Sequence, residues 1–87
     1  MTDAAVRLPP IAALIPFEAS ARLGSMSAAA RELGISQPAI SRHLAMLEQD
    51  LGQDLFIRTR RGLRLTAAGR DYQSVVAPAL DQMAWKT

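Results

Sequence analysis

A helix stop and a helix start lie two residues apart in this chain. Gly34 follows a run that is nearly all alanine plus Arg31 and Glu32, and Ser36 opens a longer apolar-periodic run. Glycine adopts the left-handed backbone conformation without a side-chain clash, so it ends helices. Serine accepts the unsatisfied N–H groups of a first turn, so it begins them. Pro38 lies in that first turn, where no backbone donor is lost. Only Ile35 separates stop from start, as an apolar plug. Two helices joined this way form a helix-turn-helix, here spanning about residues 26–45.

The flanking segments extend the pattern. Residues 1–8 predict a loose arm, and Pro9-Pro10 suits the start of a first helix carrying Ile11, Leu14, Ile15, Phe17 and Ala21. That helix ends near Arg22 or Leu23, with Gly24 as its stop. Pro16 inside it predicts a kink or a later start. Ser25 or Ser27 caps the second helix, about Ala28 to Leu33. Ala30 is small where the two helices of the motif approach, and Leu33, Ile35 and Ile40 supply apolar contacts around the turn.

At about 100° per residue, Ile40, Leu44, Leu47 and Leu51 form one narrow stripe of the third helix and face the core. Gly52 ends that helix. Leu55-Phe56-Ile57 and Leu63-Arg64-Leu65 predict two short strands joined by Arg60-Arg61-Gly62, with both leucines on one face and Arg64 on the other. Thr66 caps a last helix whose apolar stripe, Tyr72, Val75, Val76, Ala79, Leu80 and Met83, is the expected dimerisation surface, exposed for a second copy of the chain. The expected fold is mainly α: a winged helix-turn-helix of three helices and a two-stranded wing over residues 9–66, then a long linker or dimerisation helix over 67–87.

Charge placement says more than the net value of +2. Nine of the ten basic residues are arginine, four of them at Arg58, Arg60, Arg61 and Arg64, and no acid lies between Asp54 and Asp71. Such a cluster suits phosphate, although a solvated charged loop looks the same by charge alone. The third helix adds detail. Pro38, Ser41, Arg42, Ala45 and Gln49 lie on or beside its outer face, with Gln37 near the edge. Its first two turns carry amide, hydroxyl and guanidinium groups and no acid; Glu48 and Asp50 come only in the last turns. Glutamine can pair with adenine, and arginine with guanine or phosphate. Arginine at a wing tip can enter a narrow minor groove or clamp phosphates; Arg61, at the tip, is the expected groove contact.

Other classes have less support. The chain has no cysteine and one histidine, so neither a thiolate metal site nor a histidine-rich one is expected, nor any cofactor. No local spacing pairs two carboxylates for acid–base work, so no catalytic residues are expected. His43, on the flank of the third helix, reads as solvated or phosphate-facing, and Glu48 as an ion-pair partner of an arginine. Asp50 and Asp54 read as solvated charges. Nothing near the start resembles a signal peptide and no run spans a membrane, which places the chain in the cytoplasm, at the nucleoid. The competing functional reading is a winged-helix protein-interaction module that does not bind DNA.

The run Ala29-Ala30-Arg31-Glu32-Leu33-Gly34-Ile35-Ser36-Gln37-Pro38-Ala39-Ile40-Ser41-Arg42 resembles LysR-type transcriptional regulators. Leu47-Glu48, Leu51-Gly52, Leu55-Phe56, Arg58-Thr59 and Leu65-Thr66-Ala67-Ala68-Gly69 continue the likeness, which covers about Leu8 to Leu80. The opening Leu8-Pro9-Pro10 with Phe17-Glu18-Ala19 resembles the branch that regulates glycine cleavage and β-lactamase genes. The resemblance implies a transcription regulator with a winged helix-turn-helix and a linker helix that pairs two subunits. It implies Gln37, Pro38, Ser41 and Arg42 at the major groove and Arg61 on the wing. With Ser36, Arg58 and Arg60 these are the candidate DNA contacts. A twofold dimer predicts an interrupted palindrome of double-stranded DNA as the site. Family members carry an effector domain after the linker helix, and a small-molecule effector would belong there. The chain ends at Thr87 before any such domain, as a fragment, a truncated product or a stand-alone module would. Pro78 departs from the pattern and predicts a bend in the linker helix.

Overall fold

The computed structural model describes residues 11–85. The expected arm, the Pro9-Pro10 start and the side chain of Trp85 lie outside the described residues. Four helices and one hairpin follow in order: α1 Ile11–Leu23, α2 Met26–Leu33, α3 Gln37–Leu51, β1 Phe56–Thr59, β2 Gly62–Leu65 and α4 Ala67–Trp85. Among the described residues, no helix is long and apolar enough to cross a membrane.

Local chemistry sets each boundary. The Ser25 hydroxyl accepts from Ala28 N at 3.1 Å, so Ser25 and not Ser27 caps α2. Gly34 ends α2 at φ 70°, and its N–H and that of Ile35 both reach the Ala30 carbonyl. Ser36 caps α3 by accepting from Ala39 N at 3.2 Å. Thr66 caps α4: its hydroxyl accepts from Gly69 N at 3.0 Å and donates to the Asp54 carbonyl at 2.7 Å. Neither internal proline ends its helix. The N–H that Pro16 lacks would have bonded the Ala12 carbonyl, and that of Pro78 the Ser74 carbonyl. Ala12 and Ser74 are both exposed, so solvent can serve those carbonyls.

The core gathers one face from each helix. Phe17 is fully buried, with its ring centroid 5.5 Å from Phe56 and 5.4 Å from Tyr72. Ile40, Leu44 and Leu47 are buried as the stripe requires, with Leu51 packed at their margin. Ala29 and Ala30 are buried where α2 packs on the rest. Three expectations fail here. Ile35 is no plug, being 38 % exposed. Its place is set by its backbone bond to Ala30 rather than by its side chain. Ile11 and Ile15 also stay largely exposed, because α1 turns Ala13, Pro16, Phe17, Ala19 and Ser20 inward instead.

The hairpin is antiparallel, pairing Phe56 with Leu65, Ile57 with Arg64, Arg58 with Leu63 and Thr59 with Gly62. Three ties fasten its root. Leu63 N donates to the Gly24 carbonyl at 3.1 Å and Thr66 N to the Leu55 carbonyl at 3.0 Å. Glu48 makes the third: its Oε2 accepts from Leu55 N at 2.8 Å and from Phe56 N at 3.1 Å. The expected ion pair of Glu48 with an arginine is therefore replaced by backbone donors at the root of the wing. Gly69 lets α4 lie against this root. A β-carbon there would stand 2.1 Å from the Leu55 carbonyl oxygen.

Candidate nucleic-acid interface

The exposed end of α3 and the hairpin form one continuous face. Ser36, Gln37, Pro38, Arg42 and Ala45 are exposed, and Ser41 is half-buried. The Arg58 guanidinium, from β1, donates to the Ser41 hydroxyl at 3.4 Å. Wing and helix thus meet at the middle of the face. Gln37 and Arg58 line a cleft of 240 Å³ with Ser27, Thr59 and Gly62. Arg60 and Arg61 form the two-residue turn at the exposed tip. That turn is held by Thr59, whose hydroxyl accepts from Arg61 N at 3.2 Å and donates to the Gly62 carbonyl at 3.1 Å.

The cations of this face are electrostatically available. Among the described residues, the only ion pairs join Arg22 of α1 to Glu18 and, across helices, to Glu32 of α2. Arg22 is held far above its ordinary range by the hydrogen bonds it donates to Glu32 and Glu18, and Glu32 is drawn below its ordinary value by Arg22. This triad was not legible in the sequence, because Arg22 and Glu32 stand ten residues apart and no period relates them. Arg42, Arg58, Arg60, Arg61 and Arg64 make no ion pair among the described residues, so no described carboxylate neutralises their charge.

His43 departs from its expected state. It is half-buried, and its Nδ1 is buried without a hydrogen-bond partner. The flank of α3 on which it lies turns partly toward the protein.

The stripe on α4 divides. Val76 is 4 % exposed within this chain's own core, and Tyr72 and Leu80 pack against that core. Burial raises the Tyr72 phenol above its ordinary pKa. These three positions are not offered whole to a second subunit, contrary to the expectation of one continuous surface stripe. Val75, Ala79 and Met83 are the positions left exposed. Helical period groups residues on a face but does not say how much of that face the same chain covers.

Three helices, a two-stranded hairpin and an arginine-bearing face without ion pairs define a winged helix-turn-helix domain. The chain belongs to the LysR family of bacterial regulators: residues 11–70 match the family described as "Bacterial regulatory helix-turn-helix protein, lysR family". It is 57 % identical over 56 residues to the transcriptional regulator ClcR of Pseudomonas putida, covering 64 % of this chain and 19 % of ClcR. With the transcriptional activator AmpR of Providencia stuartii it shares 45 % over 74 residues, 85 % of this chain and 25 % of AmpR. The chain thus spans 19–25 % of the length of these curated relatives. Among solved structures, the complex of the CbnR DBD with DNA matches with a TM-score of 0.81 at 39 % identity, covering 88 % of both chains. Oxidised OxyR of Corynebacterium glutamicum matches at 0.84 and 33 % identity, covering 90 % of this chain and 25 % of that one.

Proposed function

We propose that this chain is the DNA-binding unit of a LysR-type transcription regulator, with the first turns of α3 in the major groove and the Arg60-Arg61 tip at the minor groove or backbone. The observation that carries this is the acid-free outer face of α3 lying beside unpaired wing arginines. Likeness to a protein solved on DNA supports it. In this arrangement Ser36, Gln37, Pro38, Ser41 and Arg42 meet the groove, while Arg58 and Arg60 contact phosphates and Arg61 the narrow groove. Selection of bound duplexes from a random library tests the proposal. Gln37→Ala or Arg42→Ala should each cost about 1–3 kcal/mol on the selected site and relax preference at one base pair. Wild-type binding by both variants would refute the assignment.

A homodimer through α4 belongs to the same proposal. Val75, Ala79 and Met83 form its surface, each meeting its own equivalent about a twofold axis. An interrupted palindrome then follows as the bound site. Val75→Asp alters the exposed face and spares the core, so it is a better control than a change at half-buried Leu80. Sedimentation at rising concentration should show a dimer for the wild type and a monomer for Val75→Asp. A wild type that stays monomeric and binds single half-sites would sink the dimer.

A further inference from the structure

Ser25 and Ser27 stand on either side of the first residue of α2 and do different things. Ser25 is the cap, so the helix start needs nothing from Ser27. Ser27 is exposed, and its hydroxyl donates to Gln37 Oε1 at 3.0 Å, from one helix of the motif to the other. Gln37 is the first residue of α3 and is itself exposed.

A glutamine carboxamide has one acceptor oxygen and two N–H donors. Left free, it can present either end. Held by its oxygen, it presents its nitrogen. Arg58, whose guanidinium is another pure donor, also lines the cleft of Gln37 and Ser27. We propose that Ser27 is a positioning residue for base recognition: from α2 it fixes the Gln37 carboxamide with its NH2 group outward, so that this point of the face reads a hydrogen-bond acceptor on a base edge. The proposal rests on α3 being the recognition helix.

The chemistry of the groove gives it content. Guanine offers N7 and O6 there and thymine O4, all acceptors; adenine offers the N7 acceptor beside its N6 donor, and cytosine offers the N4 donor. Outward NH2 meets the first three favourably and meets cytosine donor to donor. The two-bond pairing of glutamine with adenine uses the carboxamide oxygen as acceptor. The Ser27 hydroxyl takes one of that oxygen's two lone pairs and holds it toward α2, so the bias toward adenine expected of a free glutamine is reduced. Ser27 therefore affects specificity without touching a base.

The test uses the 87-residue chain and the duplex selected from a random library. Affinities are measured for that duplex and for every single-base-pair variant of it, with wild type, Ser27→Ala, Ser27→Thr, Gln37→Ala and the double alanine variant. Gln37→Ala should lower discrimination at one base pair by about tenfold. Ser27→Ala should lower it at the same base pair by roughly three- to tenfold, the net worth of one hydrogen bond. The slope of log affinity against log salt should not move. Ser27→Thr keeps the hydroxyl and should keep the discrimination. The double variant should match Gln37→Ala alone, since Ser27 acts only through Gln37. Preference for cytosine at that position, a silent Ser27→Ala, or an equal loss on every duplex would overturn the proposal while leaving α3 as the reading helix. If Gln37→Ala changes no base preference, Gln37 does not read bases and the proposal falls with that assignment.

Discussion

Replacing Glu48 should unfasten the wing. One carboxylate oxygen accepts from both Leu55 N and Phe56 N, and Leu55 is only 2 % exposed. A hydrogen bond to a charged group nets about 1.5–3 kcal/mol. Both bonds share one oxygen on a half-buried side chain, so the lower figure applies to each, and Glu48→Ala should cost about 3 kcal/mol. Leaving the Leu55 N–H unpaired in a buried position pushes the value upward. In a domain this small, 1 kcal/mol moves the melting midpoint by about 4–8 °C, so the loss is on the order of 12–24 °C. Glu48→Gln keeps an acceptor oxygen without the charge and should cost about 1 kcal/mol. Thermal and urea unfolding followed by circular dichroism give the magnitudes. Amide exchange gives the location: protection should fall first at Leu55 and Phe56. If Glu48→Ala unfolds within about 0.5 kcal/mol of wild type, the ordinary scatter of surface changes, Glu48 does not anchor the wing.

Gly69→Ala places a methyl 2.1 Å from the Leu55 carbonyl oxygen and 2.9 Å from Leu65 Cδ2, so it should destabilise by about 3 kcal/mol, measured by urea unfolding. Tyr72 is the only tyrosine, and its phenol should ionise above the ordinary value near pH 10 in an ultraviolet titration, because burial opposes the phenolate. The unfolded chain loses that proton first. The Tyr72 contribution to stability is therefore complete below the ordinary phenol pKa and declines as pH rises through the folded value. Arg60→Ala with Arg61→Ala should weaken binding to all duplexes and flatten the dependence of log affinity on log salt by about one unit for each phosphate that the wing no longer neutralises. An unchanged slope would remove the wing from the DNA-binding surface.

Features governed by neighbours in sequence were legible before the fold was known. The Ser36 cap, the Gly34 and Gly52 stops, the Thr66 cap and the Ile40–Leu44–Leu47 stripe each follow from a residue and the turn beside it. The hairpin was legible from strand alternation around the arginine turn, with edges off by one residue and the end of β1 by two. What escaped is what depends on a partner from another element. Glu48 looks like a surface acid until the chain after Gly52 doubles back and sets two N–H groups against it. Ser27 looks like a cap until Ser25 takes that duty. Val76 looks like part of an interface because the α4 stripe is continuous in sequence, while α1 and the hairpin occupy one edge of it. The arginines of the candidate face were recognisable by type and spacing. That none of the five pairs with an acid among the described residues required the positions of those acids.

The hairpin is held at Gly24, at Glu48 and at Thr66, so its tip stands at a fixed reach from the first turn of α3. In the proposed complex this makes the protein a ruler. A duplex whose grooves do not fall at that reach has to bend or twist to fit, and the energy of doing so depends on base steps that no side chain touches. Target choice then extends to the flexible or narrow-grooved steps lying between the two contacts.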